Sequence, residues 1–241
     1  MRVAETGIWI AAGLVFFSAV MGCNRFRSEP PLQIFDGRPY RSFHLSPDTK
    51  GVLVYLHGAS TQPLARDNIV QELENYAKEK NLALVQPSGG IDCEVLGLTS
   101  PTPRRCWNLS APAEELRYVD ALVSHLEKTF ALKPMHEQIL GYSNGGYLLG
   151  SALQTDQAMR WSKVGILAGG AVGDKQANSA NAPDIFIEVG TADTWQVEPS
   201  RALRQALQGL EPLPSYREVT AGHEVSTKRL RDFLDWWDSE R

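Results

Sequence analysis

The sequence predicts an α/β fold in which a mainly parallel central sheet is covered by helices on both faces. After about residue 35, short and almost wholly apolar runs alternate with segments whose apolar residues recur at helical spacing. Strands that are buried on both faces have such continuous apolar runs, and parallel neighbours need a crossover connection that is usually a helix. The alternation of these two patterns therefore indicates a parallel sheet.

The chain after residue 50 divides into strand and helix candidates. An apolar run at 51–58, GVLVYLHG, precedes a helical pattern at 67–80, and the next strand candidate at 82–89 is separated from a helix at 112–131 by a loop at 90–111. In a parallel sheet the ligand crevice lies beyond the carboxyl ends of the strands, so the polar residues at those ends are the candidate functional residues. Further strand candidates lie at 138–143, 164–172, 184–193 and 215–223, and further helices directly after residue 143, near 200–209 and near 224–238.

The N-terminal region has the pattern of an export signal. Residues 8–21, IWIAAGLVFFSAVM, are apolar over a shorter run than the roughly 18 to 20 residues of a membrane-spanning helix, which favours a signal peptide. The run ends in VMGC, which resembles a bacterial lipobox and implies a lipid anchor on Cys23. We therefore expect a signal peptide at 1–23, a flexible tether at 24–34, and a lipoprotein that faces the periplasm or cell exterior. An ordinary cleaved signal peptide and a short uncleaved anchor are the alternatives.

Residues 35–241 are predicted to form one domain, which leaves little chain for a large lid over the site.

Cys93 and Cys106 are an even pair within one loop, and in an oxidising compartment they are expected to form a disulfide. Such a bond would stabilise the fold by about 3 kcal/mol. Two unlinked thiols are the alternative.

Charge and composition exclude several function classes. The formal net charge is −4 and no run of like charges occurs, so the chain offers no electrostatic surface for nucleic acid. The sequence has neither a cysteine–histidine cluster nor a phosphate-binding loop, so no metal and no organic cofactor is expected.

The hexapeptide GYSNGG at 141–146 matches the pattern G-x-S-x-G, and it lies between an apolar strand and a helical pattern. That context is the one a nucleophile elbow requires, because a sharp strand-to-helix turn exposes the serine at the edge of the sheet. Gly141 and Gly145 allow the turn, and Ser143 is the candidate nucleophile. A plain Gly-Ser turn is the alternative.

A serine nucleophile needs a base, and the base needs an orienting carboxylate. Asp193 follows the strand DIFIEVG and His223 follows SYREV, so the chain order Ser143, Asp193, His223 is that of the α/β-hydrolase fold. Asp184 and Asp174 are weaker candidates for the acid, because the first precedes its strand and the second lies in a connecting loop. The remaining histidines, His44, His125 and His136, do not follow strand ends of this kind and are interpreted as surface or core residues.

The dipeptide His57-Gly58 ends the strand VLVYL, where this fold places one donor of the oxyanion hole. The backbone amides of Ala59 and Asn144 are the predicted donors. His57 itself is interpreted as structural, holding the loop by hydrogen bonds.

A family resemblance adds to these assignments. The segments LHGAS, RRCWNLS, RYVDALVSHL, GYSNGGYL, GTAD and AGHE together resemble the polyhydroxybutyrate depolymerase and feruloyl esterase group of α/β-hydrolases, over about residues 50–225. The resemblance implies an exported esterase with Ser143, Asp193 and His223 as its catalytic residues. The chain departs from the group at Ala59, where a cysteine is common, and at Leu109, where a second aromatic is common.

Together these features predict an exported serine esterase that needs no cofactor. Trp107 and Trp195 are candidate substrate contacts, since flat aromatic walls suit aromatic acyl groups or polymers, and ordinary packing is the alternative. An open cleft favours bulky or polymer-attached esters.

Two kinds of alternative function remain. The same triad also serves serine peptidases, thioesterases and lysophospholipases. From a different class, the chain could be a non-catalytic lipoprotein that binds a surface ligand.

Overall fold

The computed structural model describes residues 29–60, 62–97, 102, 104–132, 136–155, 160–170, 176–179 and 182–239. The predicted signal peptide, the candidate lipidation site Cys23 and Asp174 lie outside these residues. The strands are β1 Gln33–Phe35, β2 Arg38–Phe43, β3 Gly51–Leu56, β4 Leu82–Pro87, β5 Ile91–Asp92, β6 Arg105–Cys106, β7 His136–Tyr142, β8 Lys163–Leu167, β9 Asn178–Ser179, β10 Asp184–Gly190, β11 Gly209–Leu210 and β12 Ser215–Val219. The helices are α1 Asn68–Lys80, α2 Pro112–Phe130, α3 Asn144–Leu153, α4 Val197–Ala206 and α5 Thr227–Ser239.

Within this part of the chain, eight strands form the central sheet in the order β1-β2-β4-β3-β7-β8-β10-β12. The strands from β4 to β12 in this order run parallel, whereas β2 pairs antiparallel with β4 and β1 antiparallel with β2. The α/β class and the mainly parallel sheet predicted from the sequence are confirmed.

The first strand begins at Gln33, two residues before residue 35, where the sequence predicted that the domain begins. Gln33 pairs with Tyr40 across a two-residue turn made by Asp36 and Gly37, both of which have positive φ, 47° and 73°. Asp-Gly is a favoured dipeptide for such a hairpin turn, because both residues tolerate this backbone conformation.

Alternate residues of the strands supply two separate hydrophobic cores, one on each face of the sheet. In β3, Val52 and Val54 pack against the cluster that contains apolar residues of α2 and α3, and Leu53 packs with those of α1 and α5. This arrangement follows from the period of two along a strand, which directs successive side chains to opposite faces. Helices therefore cover both faces of the sheet, as predicted.

The segment 90–111, predicted as a loop, contains short ordered elements. Residues 93–96 form a 3₁₀ turn, and β5 pairs antiparallel with β6. Among the described residues, no helix has the length and apolar character needed to cross a membrane.

Candidate active site

Ser143 lies on the tight turn between β7 and α3, with φ 51° and ψ −115°, a conformation that a residue with a Cβ rarely adopts. Its amide donates to the Leu167 carbonyl at 2.9 Å, which ties the turn to the neighbouring strand β8. A Cβ on Gly145 would lie 2.3 Å from the Leu56 carbonyl oxygen, and one on Gly141 would lie 2.4 Å from that of Gly145. The two glycines therefore allow the close approach that brings Ser143 to the sheet edge.

Three side chains from separate strand ends meet at this point. The Nε2 atom of His223 lies 3.0 Å from the Ser143 Oγ, and its Nδ1 atom lies 2.6 Å from Oδ2 of Asp193. Asp193 is buried, whereas the His223 side chain is 41% exposed. The structure thus brings together the three residues that the sequence analysis selected, in one hydrogen-bonded chain with an accessible base.

The competing residues lie elsewhere. Asp184 begins β10 and His136 begins β7, at the edge of the sheet opposite to Ser143. His125 lies in α2 and stacks on Phe35 of β1, with ring centroids 5.1 Å apart. The positions of His125 and His136 agree with their interpretation as surface or core residues, and Asp184 is too far from Ser143 along the strand to be its acid.

The loop that carries His223 is held by a residue that sequence reasoning missed. Nη1 of Arg229, in α5, donates to the carbonyls on either side of His223, those of Gly222 at 2.8 Å and Glu224 at 3.1 Å. Its Nε donates to the fully buried Glu188 of β10 at 2.7 Å. An arginine within an amphipathic helix carries no sequence signal for this role.

A second contact holds the same loop from the nucleophile strand. The Tyr142 hydroxyl donates to the His223 carbonyl at 3.1 Å, and the two rings lie against one another with centroids 5.4 Å apart. Because Tyr142 precedes Ser143 directly, this contact connects the base loop to the nucleophile turn.

The segments that contain the two predicted oxyanion donors lie beside Ser143. Asn144 is the first residue of α3, so its amide has no acceptor within the helix and lies at the positive end of the helix dipole. A Cβ on Gly58 would lie 3.2 Å from the Ser143 Cβ, which places the turn that contains Ala59 directly against the nucleophile.

His57 has the structural role that the sequence suggested. Its Nε2 accepts a hydrogen bond from the Gly89 amide at 2.9 Å, so Nδ1 carries the proton and donates to the Gly58 carbonyl at 2.5 Å. Burial is the main cause that lowers the pKa of His57 to about 4, which keeps the ring neutral at ordinary pH.

The two tryptophans predicted as substrate contacts differ. Trp107 is fully buried and its Nε1 donates to the His57 carbonyl at 3.0 Å, so its assignment to the cleft wall is wrong. The residue directly follows β6, and the pairing of β6 with β5 and its own hydrogen bonds to His57 and Asn144 hold it inside the fold. Trp195 is 85% exposed two residues after Asp193, and its contact with substrate stays a prediction.

Cys93 and Cys106 are joined by a disulfide with their Cα atoms 5.0 Å apart. The bond links the 3₁₀ turn to β6. Within the described ranges, no group of three or more histidine, cysteine or acidic side chains is placed to hold a metal ion.

Comparison with known proteins identifies the architecture. No family model and no curated protein matches the sequence. Among solved structures, the chain is similar to a carboxylesterase from Mesorhizobium loti, with a TM-score of 0.67 and 19% identity over 87% of this chain and 99% of that one. This is the α/β-hydrolase fold. A Bacillus cereus carboxylesterase follows with a TM-score of 0.61 and 14% identity over 83% and 93% of the two chains, and Zea mays acyl-protein thioesterase 2 with 0.50 and 13% over 83% and 97%.

Proposed function

We propose that this chain is a serine hydrolase that cleaves carboxylic esters. The observation that carries the proposal is the hydrogen-bonded chain from Ser143 through His223 to Asp193, set on a strained turn at the carboxyl edge of a parallel sheet. Strain of this kind concentrates at functional sites, because the surrounding structure has to maintain it. Similar solved structures that are named carboxylesterases support the same reaction class.

The geometry supports acyl transfer in two steps. His223 Nε2 takes the proton of Ser143 as Oγ attacks the ester carbonyl carbon, and Asp193 stabilises the resulting imidazolium. The tetrahedral intermediate then loses the alcohol, which leaves with the proton from His223. Water, deprotonated by the same nitrogen, attacks the acyl-enzyme and releases the acid and the free Ser143 hydroxyl.

The negative charge that develops on the carbonyl oxygen needs hydrogen-bond donors. The backbone amides of Ala59 and Asn144 are proposed for this role, since Asn144 follows Ser143 directly and Ala59 follows Gly58, which packs against the Ser143 Cβ. Both donors belong to the backbone, so neither can rotate away as a side chain could. Removing one donor of such a pair typically lowers kcat about 100- to 1000-fold.

The proposed substrate is an ester with one small and one large arm. A cavity of about 130 Å³, lined in part by Tyr55, Pro63, Ala59, Gly58 and Tyr142, lies beside the nucleophile turn. A cavity of this size suits a short acyl chain or a small alcohol. The exposed Trp195 offers an open surface for a larger arm, in keeping with the resemblance to feruloyl esterases and polyhydroxybutyrate depolymerases.

A substrate panel tests this assignment. It contains p-nitrophenyl esters of graded acyl length, methyl ferulate, a feruloylated sugar and a hydroxybutyrate oligomer. We expect turnover of the ferulate or the oligomer at least comparable to that of the best p-nitrophenyl ester. Efficient turnover of small soluble esters alone would reject the larger substrates.

A thioesterase is the second candidate, because the fold is shared with Zea mays acyl-protein thioesterase 2 and the same triad cleaves thioesters. An acyl thioester matched in chain length to the best oxygen ester distinguishes the two. A higher kcat/KM on the thioester would assign the chain to this second class.

A fluorophosphonate probe tests the reaction class itself. We expect it to label the wild-type protein and the Ser110→Ala variant, whose serine is exposed and remote in sequence from the turn, but not Ser143→Ala. Equal labelling of Ser143→Ala would show that Ser143 is not the nucleophile. No labelling of the wild type would favour the alternative of a non-catalytic lipoprotein that binds a surface ligand.

We further propose that the protein is exported and anchored through a lipid on Cys23. The disulfide between Cys93 and Cys106 supports an oxidising compartment. Cys23→Ser is expected to move the protein from the membrane fraction to the soluble fraction, whereas an unchanged membrane fraction would contradict lipid anchoring.

A further inference from the structure

The disulfide hairpin, meaning β5, the turn Cys93–Leu96, β6 and Trp107, is packed against both segments that supply the proposed oxyanion donors. On the first segment, the Ser60 amide donates to the Arg105 carbonyl at 3.3 Å and the Arg105 amide donates to the Ser60 carbonyl at 2.7 Å. Ser60 follows Ala59 directly. The hairpin therefore holds the chain one residue beyond the first donor.

On the second segment, Trp107 contacts Asn144. The Trp107 amide donates to Oδ1 of Asn144 at 2.6 Å, and both side chains are buried. Asn144 uses its side chain for this contact, so the orientation of its backbone at the start of α3 is coupled to the hairpin.

The same tryptophan reaches back to the first segment through His57. Its indole Nε1 donates to the His57 carbonyl at 3.0 Å, and the His57 and Trp107 rings lie with their centroids 5.3 Å apart. Trp107 is thus bonded to both donor segments at once.

His57 transmits this restraint to Ala59. Its Nδ1 donates to the Gly58 carbonyl, and that carbonyl belongs to the same planar peptide unit as the Ala59 N–H. In a trans peptide the N–H points away from the carbonyl, so fixing one fixes the direction of the other. The Gly89 amide on Nε2 holds the ring, and a Cβ on Gly89 would lie 2.3 Å from the Cys106 carbonyl oxygen, which shows how closely this backbone packs on the hairpin.

From these contacts we propose that Trp107 is a positioning residue that, together with the Cys93–Cys106 disulfide, aims both oxyanion donors. The inference rests on the proposed function. Trp107 does not touch substrate, because it is fully buried. Its effect is on where the Ala59 and Asn144 amides point, and such donors act only when they lie about 2.7 to 3.1 Å from the developing oxyanion.

A displaced donor weakens binding of the transition state more than binding of the ester, and a misplacement of about 1 Å can lower the rate about 100-fold. Loosening the hairpin should therefore lower kcat and leave KM unchanged. The pH profile should also stay unchanged, since the His223 and Asp193 contacts involve no atom of the hairpin.

The test compares Trp107→Phe, which removes the indole N–H and keeps an aromatic ring, with the disulfide variant Cys93→Ala/Cys106→Ala. Trp161→Phe is the matched control, because Trp161 is also buried but precedes β8 at the opposite edge of the sheet. Sites are counted by complete fluorophosphonate labelling, and kcat and KM are measured on one p-nitrophenyl ester. The Ki of a trifluoromethyl ketone, which forms an oxyanion on the serine, is measured in parallel.

For both hairpin variants we expect kcat per titrated site to fall about 10- to 100-fold and the Ki of the ketone to rise by a similar factor, with KM and the pH profile at their wild-type values. Reduction of the wild-type disulfide to two thiols by a phosphine, which becomes the phosphine oxide, should reproduce the effect. The control variant should keep the wild-type kcat and Ki.

The proposal is overturned if kcat per titrated site and Ki match those of Trp161→Phe, or if kcat falls with an unchanged Ki. Should a variant fold poorly, the reduced wild-type protein supplies the same comparison at a temperature below its unfolding transition. Failure of the proposed function is a separate result, because the wild-type protein would then neither label nor hydrolyse any ester.

Discussion

Nδ1 of His223 lies 2.6 Å from Oδ2 of Asp193, a contact between loops that follow two neighbouring parallel strands, β12 and β10. A carboxylate can only accept, so this bond places the ring proton on Nδ1. The lone pair on Nε2 is then directed at the Ser143 Oγ, 3.0 Å away. The buried acid therefore selects the tautomer in which the histidine can act as a base.

The Asp193→Asn variant tests this selection of tautomer. An amide can donate to Nδ1, which would place the ring proton on Nε2 and remove the acceptor for the serine proton. We expect kcat to fall by about 10⁴ with little change in stability. Steady-state kinetics on the best ester provides the measurement.

Asp184→Asn, at the opposite end of the same strand, is the control and should keep the wild-type kcat. An Asp193→Asn enzyme that retained wild-type kcat would mean that the acid does not orient His223.

Arg229 and Arg217 provide a natural comparison, because both pair with the buried Glu188. Nε of Arg229 donates to its Oε1 and Nε of Arg217 to its Oε2, each at 2.7 Å. Only Arg229 also binds the carbonyls of Gly222 and Glu224, which flank His223. The two arginines share a charge partner but differ in their contact with the base loop.

We expect Arg229→Met to lower the free energy of unfolding by about 3 kcal/mol, because a buried carboxylate loses a partner, and to lower kcat as well. Arg217→Met should cost less stability, since Arg217 is more exposed, and should keep kcat near the wild-type value. Urea unfolding and kinetics on folded enzyme measure the two effects. Equal kcat losses in both variants would show that the bonds from Arg229 to the carbonyls beside His223 do not contribute to catalysis.

The three site residues that the sequence predicted share one property. Ser143, Asp193 and His223 each follow a strand candidate, and the geometry of a parallel sheet brings the carboxyl ends of its strands to one edge. The local sequence pattern and the expected sheet topology together were sufficient to predict these three residues.

The residues that the sequence misassigned or missed depend on packing between distant segments. Trp107 lies in a stretch with no helical or strand period, and its burial results from the β5–β6 pairing and from hydrogen bonds to His57 and Asn144. The role of Arg229 likewise follows from the docking of α5 on β10. The start of the sheet at Gln33, by contrast, could have been predicted, because the Asp-Gly dipeptide that follows β1 is typical of a hairpin turn.

The buried neutral His57 makes stability depend on pH. Burial lowers its pKa from 6.5 in the unfolded chain to about 4 in the folded protein, an effect that the bond to Gly58 opposes and Arg105 reinforces. Between these values the unfolded chain binds the proton and the folded protein does not. The contribution of His57 is therefore complete above about pH 6.5 and is lost as the pH falls towards 4.

We expect the wild-type protein to lose about 2 to 3 kcal/mol of unfolding free energy from this group between pH 7.5 and 4.5. His57→Gln, which does not titrate, should lose less over the same interval. Urea unfolding at the two pH values gives the difference. An identical pH dependence in the two proteins would show that His57 is not buried as a neutral ring.

Gly145 has the least room for a side chain at the nucleophile turn. A Cβ there would lie 2.3 Å from the Leu56 carbonyl oxygen and 2.8 Å from the Leu56 Cβ, and Leu56 ends the strand that leads into His57 and Ala59. Gly145→Ala should therefore destabilise the fold by about 1 to 3 kcal/mol, or more, and displace the turn that carries the proposed oxyanion donor.

Gly222→Ala is the matched control, since Gly222 also lies beside a triad residue but a Cβ there would meet no atom within 4 Å. Its urea midpoint and kcat should stay close to those of the wild type, whereas Gly145→Ala should lose both stability and activity. A Gly145→Ala protein with wild-type midpoint and kcat would mean that β3 can withdraw from α3 without cost, and that the tight approach at the turn is not required for the site.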